Sequence, residues 1–244
     1  MLHRIVPKGF IAWFGPLVLL VMAMVLLPAA GALSARAENV TEEQRQALVL
    51  QEEAARAARE AERQQQALEL KRARFREAGT QLDVNAVPES TLVLAERIAG
   101  ATPLDLRSSL AAAVYARQFS LRPSLLLAVI SKESNFNQFS VGSHRDRGYM
   151  QIIPATERFM AKWFGPGLGM PYNPKKIFDP EYNLGLGGAY LGYMVSQYGD
   201  VERALTEYNR GEGRTETFYK RNGTYSSSYS RAVLELEQRY LSLN

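Results

Sequence analysis

The chain has 244 residues, two histidines, no cysteine and a formal net charge of +4. The lack of cysteine excludes disulfides, cysteine-ligated zinc and a thiol nucleophile, and two histidines, one of them at position 3, are too few for a histidine-rich metal site. Hydrolytic or transfer chemistry must then fall on carboxylates, hydroxyls or lysine, with no cofactor expected, and the small basic excess only weakly favours a polyanionic neighbour such as cell-wall polymer, nucleic acid or an anionic bilayer.

The chain opens with His3, Arg4 and Lys8 ahead of an uncharged, mostly apolar run over residues 10–27. A basic flank before an apolar run is the order of an export signal. Two small-x-small sites follow, Ala30-Gly31-Ala32 and Ala35-Arg36-Ala37, either of which suits a signal peptidase. The run also approaches the ~20 residues of a membrane-spanning helix. Residues 1–37 therefore read as a signal peptide or as an uncleaved inner-membrane anchor. Either way, the basic flank stays cytoplasmic and the rest faces the periplasm or cell envelope.

Residues 38–80 read as a charged helical spacer. Thr41 and Gln44 have capping-box spacing, and the stretch to Ala78 lacks Gly and Pro and is dominated by Ala, Glu, Gln, Arg and Leu. Glu52 and Arg56 are spaced for a surface ion pair, and Gly79 sits where a helix stop is expected. The heptad seam from Ala47 to Phe75 contains Gln64 and Lys71, so a coiled coil would be weak, and oligomeric state is left open.

Residues 85–244, roughly 160 residues, suffice for an independent core. The pattern predicts a mostly α domain. Thr102 and Pro103 are expected to open one helix, with Asp105 in its first turn and an end near Arg117. Arg122-Pro123 opens another, on which Leu126, Val129, Ile130 and Glu133 share one face. Glu133 thus ends an apolar stripe, where lost hydration would raise its pKa into the range of a general acid. If the helix frays after Ser131, the same residue is an ordinary solvated one. Further helices are expected over Pro154–Trp163, 183–198, 201–208 and 231–241, with Gly187 and Gly188 allowing close packing. Residues 165–180 and 210–230 read as loops flanking a groove, with Tyr219, Tyr225 and Tyr229 either stacking on sugar faces or packing on the core.

Four segments resemble one known family. They are Ala128-Val129-Ile130-Ser131-Lys132-Glu133-Ser134-Asn135-Phe136-Asn137, Gly148-Tyr149-Met150-Gln151-Ile152-Ile153-Pro154-Ala155-Thr156, Phe178-Asp179-Pro180 with Asn183-Leu184, and Tyr208-Asn209-Arg210-Gly211. In order and spacing they are similar to the soluble lytic transglycosylase (SLT) domain, a goose-lysozyme-like, mostly helical fold. The resemblance covers about residues 94–240.

That resemblance implies a peptidoglycan lytic transglycosylase acting on glycan strands, not on nucleic acid, with Glu133 as the sole catalytic acid/base. It implies that Met150 and Gln151 line the glycan groove and that Tyr208 and Asn209 contact the sugar or orient Glu133. Ser134, Asn135, Ser143 and Tyr149 are carried over as further substrate-binding candidates. A hydrolytic muramidase, with Asp146, Glu157, Glu181 or Glu207 as base, and a catalytically weak peptidoglycan-binding scaffold stay open as alternatives.

The chain departs from the family pattern in three places. Gly142, with Ser143 beside it, stands where the family commonly has Ser; Arg145-Asp146 replaces a small Gly-Ala pair; and Glu207 stands where Ala is preferred.

Overall fold

The computed structural model describes residues 41–244. The apolar run over 10–27 and the two cleavage sites lie outside the described residues. Among those described, no helix is long and apolar enough to cross a membrane. The chain divides into two compact units, residues 1–62 and 63–244.

Helix α1 runs Glu42–Glu77. The capping box forms as the sequence predicts, the Thr41 amide donating to Gln44 Oε1 at 3.1 Å and the Gln44 amide to Thr41 Oγ1 at 3.3 Å. In the first unit, described over 41–62, every side chain is exposed, and the Glu52–Arg56 pair is a 4.0 Å surface contact worth at most a few tenths of a kcal/mol. The second unit takes in the last turns of α1, because Phe75 is fully buried in a core with Val84 and Val87.

Helix α2 (Glu89–Ala101) packs on α3 (Leu106–Gln118). The expected helix start at Thr102-Pro103 is corrected here. Thr102 instead caps the C-terminus of α2, and Asp105 is the N-cap of α3, its carboxylate accepting the Ser108 amide at 2.7 Å. Pro103 falls between the two caps, so its fixed φ serves the connection and not a first helical turn.

Helix α4 (Pro123–Ser134) starts at Arg122-Pro123 as expected and does not fray after Ser131. Residues 124–130 are all buried, and Leu125, Leu126, Leu127, Val129 and Ile130 each contribute about 1.5–3 kcal/mol of hydrophobic stabilisation. Burial on every side makes α4 the central helix of the unit. It is covered by α3, by α10 (Ser228–Glu237) and by a terminal 3-10 segment, Gln238–Leu243. A polar clamp fixes the register of that cover. Glu237, almost fully buried, accepts Arg122 Nε at 2.8 Å, Arg122 Nη2 at 3.1 Å and the Ser124 hydroxyl at 2.7 Å.

Helix α5 (Pro154–Trp163) is followed by a short helix α6 (Gly165–Leu168) and a 3-10 turn, Pro174–Lys176, within a stretch expected to be loop. Helix α7 (Pro180–Tyr198) begins three residues earlier than its apolar pattern suggests, because Asp179 caps it and Pro180 occupies its first turn. Helix α8 (Val201–Arg210) is followed by α9 (Glu212–Asn222), which corrects the reading of 210–230 as loop. Its sequence, Glu-Gly-Arg-Thr-Glu-Thr-Phe-Tyr-Lys-Arg-Asn, is polar and buries only Thr215, so it carries almost no apolar stripe to be read.

Two buried acids tie the loops to this frame. Glu181 accepts Thr80 Oγ1 (2.7 Å), the Gln81 amide (2.9 Å) and Arg107 Nε (3.1 Å), while Arg107 Nη2 reaches Asp179 at 2.7 Å. Glu157 is fully buried against Arg147 Nη2 (2.6 Å) and the Tyr182 hydroxyl (3.2 Å). Gly187 does allow a close approach, but by a side chain: a Cβ there would stand 2.4 Å from Met150 Sδ. Gly187→Ala is therefore expected to destabilise the fold by about 1–3 kcal/mol through overpacking, read as a lower denaturation midpoint. An unchanged midpoint would contradict this packing.

Candidate functional site

Glu133 occupies the last turn of α4, one residue before the helix ends, and Asn135 closes that end in a left-handed conformation, φ 50°. The buried residues behind it leave its carboxyl half-buried at the floor of a cleft of about 410 Å³. Burial pushes its pKa above the ordinary Glu value, and the negative charge of Asp146 adds to the effect. Two influences oppose the rise: the Tyr229 hydroxyl, which donates to Glu133 Oε1, and the charge of Lys132. The Tyr229 hydroxyl is itself held well above its usual pKa by burial and by Glu133, so it stays protonated and remains a donor.

The backbone beside Glu133 is held by one side chain. Asn183 on α7 donates from Nδ2 to the Arg147 carbonyl (3.0 Å) and the Ile177 carbonyl (2.9 Å), and its Oδ1 accepts the Met150 amide at 2.9 Å. Residues 141–152 thereby fold back on themselves through two antiparallel bridges, Val141 with Arg147 and Arg147 with Ile152. Gln151 sits in a left-handed conformation at φ 47°, its Nε2 donating to the Ser140 carbonyl (3.0 Å) and the Gly148 carbonyl (2.8 Å). Across the cleft, the Tyr208 hydroxyl donates to the Met150 carbonyl at 2.7 Å, which links α8 to this loop.

Of the residues singled out from the sequence, Glu133, Gln151, Tyr208 and Asn209 line the cleft together. The other substrate-binding candidates do not line it. Ser134 is buried and its hydroxyl bonds back to the Ile130 carbonyl at 3.1 Å; Asn135 is the helix cap; Tyr149 is buried and paired with the Ser108 hydroxyl at 3.1 Å. Met150 is fully buried and acts through its backbone, and exposed Ser143 pairs with His144 Nδ1 at 3.1 Å. Tyr219 and Tyr225 stack on each other with centroids 4.4 Å apart, and neither lines the cleft.

Three cleft features lay beyond the sequence-based expectations. Tyr229 meets Glu133 from 96 residues away, a contact that no local pattern announces. Tyr190 on α7 joins the wall, its ring centroid 5.6 Å from that of Tyr208. Arg210 and Arg214 also line the cleft.

Asp146, noted in the sequence as a departure and as one candidate base for hydrolysis, also lines the cleft. The glycine at 142 explains how it fits: a Cβ there would stand 1.8 Å from Asp146 Oδ2, so any side chain at position 142, including the serine common in the family, and this placement of Asp146 exclude one another. The Asp146 carboxylate is oriented by the His144 amide, which donates to Oδ1 at 2.8 Å.

Because the Glu133 pKa is raised on folding, the protonated carboxyl stabilises the fold below the ordinary Glu pKa, and that contribution is lost as pH rises through the folded-state value. Glu133→Gln, which keeps an acceptor for Tyr229, is therefore expected to unfold at a higher temperature than the parent at pH 8. The advantage should shrink as pH falls below the ordinary carboxylate range. A difference that grows toward low pH would contradict the sign of the shift.

Residues 111–230 match the family described as Transglycosylase SLT domain. Over 129 residues the chain is 29% identical to the membrane-bound lytic murein transglycosylase C of Serratia proteamaculans, covering 48% of this chain and 33% of that protein. Over 97 residues it is 34% identical to the soluble lytic murein transglycosylase of Escherichia coli K12, covering 39% of this chain and 15% of that one. The chain thus spans about a third or less of the length of these relatives. Among solved structures, the 70 kDa soluble lytic transglycosylase of Escherichia coli aligns with TM-score 0.48 and 21% identity over 64% of this chain and 31% of its own. Residues 111–230, close to half of the chain, thus match the SLT domain family.

Proposed function

We propose that this protein is a peptidoglycan lytic transglycosylase that cleaves between N-acetylmuramic acid and N-acetylglucosamine with Glu133 as the single acid/base. The observation that carries the reading is a carboxyl group whose pKa is raised by burial and which nevertheless opens into a cleft. Such a group is biased toward its protonated form and can deliver its proton to the glycosidic oxygen. The relatives described as lytic murein transglycosylases support the same substrate class.

The usual two-carboxylate routes need a second acid at a set separation. In this reading the substrate itself replaces it: the muramic C6 hydroxyl attacks C1, Glu133 as carboxylate takes its proton, and a 1,6-anhydro end is left. Holding that hydroxyl beside C1 makes the step intramolecular, which contributes much of the acceleration. Tyr229 orients Glu133 and stabilises its carboxylate after the first proton has left.

One observation favours a second reading. Of the four acids considered as a hydrolytic base, Glu157 and Glu181 are spent in buried ion pairs, and Glu207 is buried outside the cleft lining. Asp146 alone lines the cleft with Glu133. A muramidase using water would use Asp146. Residues 1–37 as signal or anchor and 38–80 as a spacer would set the domain in the cell envelope, near the inner membrane.

The full chain incubated with purified sacculi is expected to release fragments lighter by one water than hydrolytic products, read by mass spectrometry. Glu133→Gln should lower the rate by at least about 100-fold. Reducing ends would support Asp146-dependent hydrolysis, and activity retained in Glu133→Gln would sink both enzymatic readings. Absence of any product from the parent chain would favour a binding scaffold. Tyr229→Phe removes the hydrogen bond that holds the Glu133 pKa down, so the alkaline limb of the rate profile should move to higher pH. Movement to lower pH would contradict that role.

A further inference from the structure

The cleft lining includes two cations that have no carboxylate partner among the described residues. Arg210 is the last residue of α8, and Arg214 lies in the first turn of α9. Both line the cleft that Glu133 opens into. In the same unit Arg107, Arg122, Arg147 and Arg203 each have a carboxylate within 4.0 Å, whereas neither Arg210 nor Arg214 has an ion pair among the described residues.

Arg210 is held but not satisfied. Its guanidinium carbon sits 4.7 Å from the centroid of the Phe218 ring, a contact that favours the cation there. Its Nε is buried with no hydrogen-bond partner, as are those of Arg147 and Arg203, but unlike them Arg210 has neither an ion pair nor a side-chain hydrogen bond among the described residues. A cation at a helix C-terminus is favourable in itself, but that leaves the donors of the guanidinium without an acceptor. A planar guanidinium is suited to a carboxylate.

The proposed substrate offers that group on only one of its two sugars. N-Acetylglucosamine is neutral, while the muramic residue bears a lactyl carboxyl, free in a bare strand and amide-linked to an acid-containing peptide in a substituted one. Asp146, a carboxylate in the cleft lining, disfavours an anion beside it, so the acidic substituent is better placed at α8 and α9.

We propose that Arg210 and Arg214 form a carboxylate-binding subsite that takes the acidic substituent of a muramyl residue and so sets the register of the strand over Glu133. The assignment rests on the peptidoglycan reading above, but its test reads binding and not turnover.

The full chain in detergent, carrying Glu133→Gln, is titrated calorimetrically with three tetrasaccharides: peptide-bearing muroglycan, the same glycan stripped of peptide, and chitotetraose, which has no carboxylate. At least one carboxylated probe is expected to bind more tightly than chitotetraose, and Arg210→Gln and Arg214→Gln should each cut that preference by about tenfold. A loss seen with the stripped glycan identifies the lactyl carboxylate, and a loss confined to the peptide-bearing one identifies the peptide. The proposal is overturned if the parent binds all three alike, if the preference survives both substitutions, or if chitotetraose loses as much affinity as the others. Arg214 is exposed, so its substitution tests the idea even if Arg210→Gln perturbs folding, and Arg210→Lys retains the charge without the planar fork. Cleavage of a probe by the Glu133→Gln protein would count against the catalytic assignment of Glu133 and leave the affinity ratios as a separate result.

Discussion

Helix α4 has no solvent face between residues 124 and 130, and Glu133 comes less than one turn after that dry segment. A carboxyl so placed gives up hydration whenever it ionises, so the fold itself favours its acid form. The rest of the unit serves that constraint. α3 and α10 supply the apolar cover, the Arg122–Glu237–Ser124 clamp fixes the register of α10, and α10 in turn brings the Tyr229 hydroxyl onto Glu133. Loss of the clamp would leave Glu237 as a buried unpaired charge at one end of α10, the helix that carries Tyr229 near its other end.

The domain divides its acids into two kinds. Glu157, Glu181 and Glu237 are buried and paired with arginines, and each ties together segments distant in sequence. Glu133 and Asp146 form no ion pair among the described residues and share the cleft. The arginines show the same division, with Arg107, Arg122 and Arg147 spent on structure and Arg210 and Arg214 unspent in the cleft wall. Asn183 joins the two tiers: two of its hydrogen bonds hold residues 147–150, and a third ties it to Ile177, so that Gln151 meets the cleft and the Met150 carbonyl meets Tyr208.

What the sequence revealed followed periodicity and helix-start chemistry. Arg122-Pro123 and the apolar positions after it located α4 and put Glu133 on its buried face, and Pro154 marked α5. Thr102-Pro103 misled because the same Thr-Pro pair suits a helix end followed by a connection, and Asp105 was available as the true cap. α9 was missed because a helix that buries a single threonine has no stripe to read. Ser134, Tyr149 and Met150 carry the family resemblance but act on the frame through a helix back-bond, a buried hydroxyl pair and backbone groups. The Tyr229 contact with Glu133 and the places of the two arginines could not be read from the sequence because they depend on tertiary contacts, and Asp146 was one of four candidate bases. For Asp146 a trace existed, since Gly142 and Asp146 depart from the family pattern together and the missing Cβ of one makes room for the carboxylate of the other.

The central claim is that burial at the end of α4 raises the Glu133 pKa above that of an ordinary glutamate. The most direct measurement is a carbon-13 NMR titration of the full chain labelled at its Glu side-chain carboxyls, with Glu133→Gln used to assign the resonance. The account predicts one carboxyl, absent from the variant, that titrates above all the exposed glutamates. A Glu133 resonance that titrates with the exposed glutamates of α1 would contradict it.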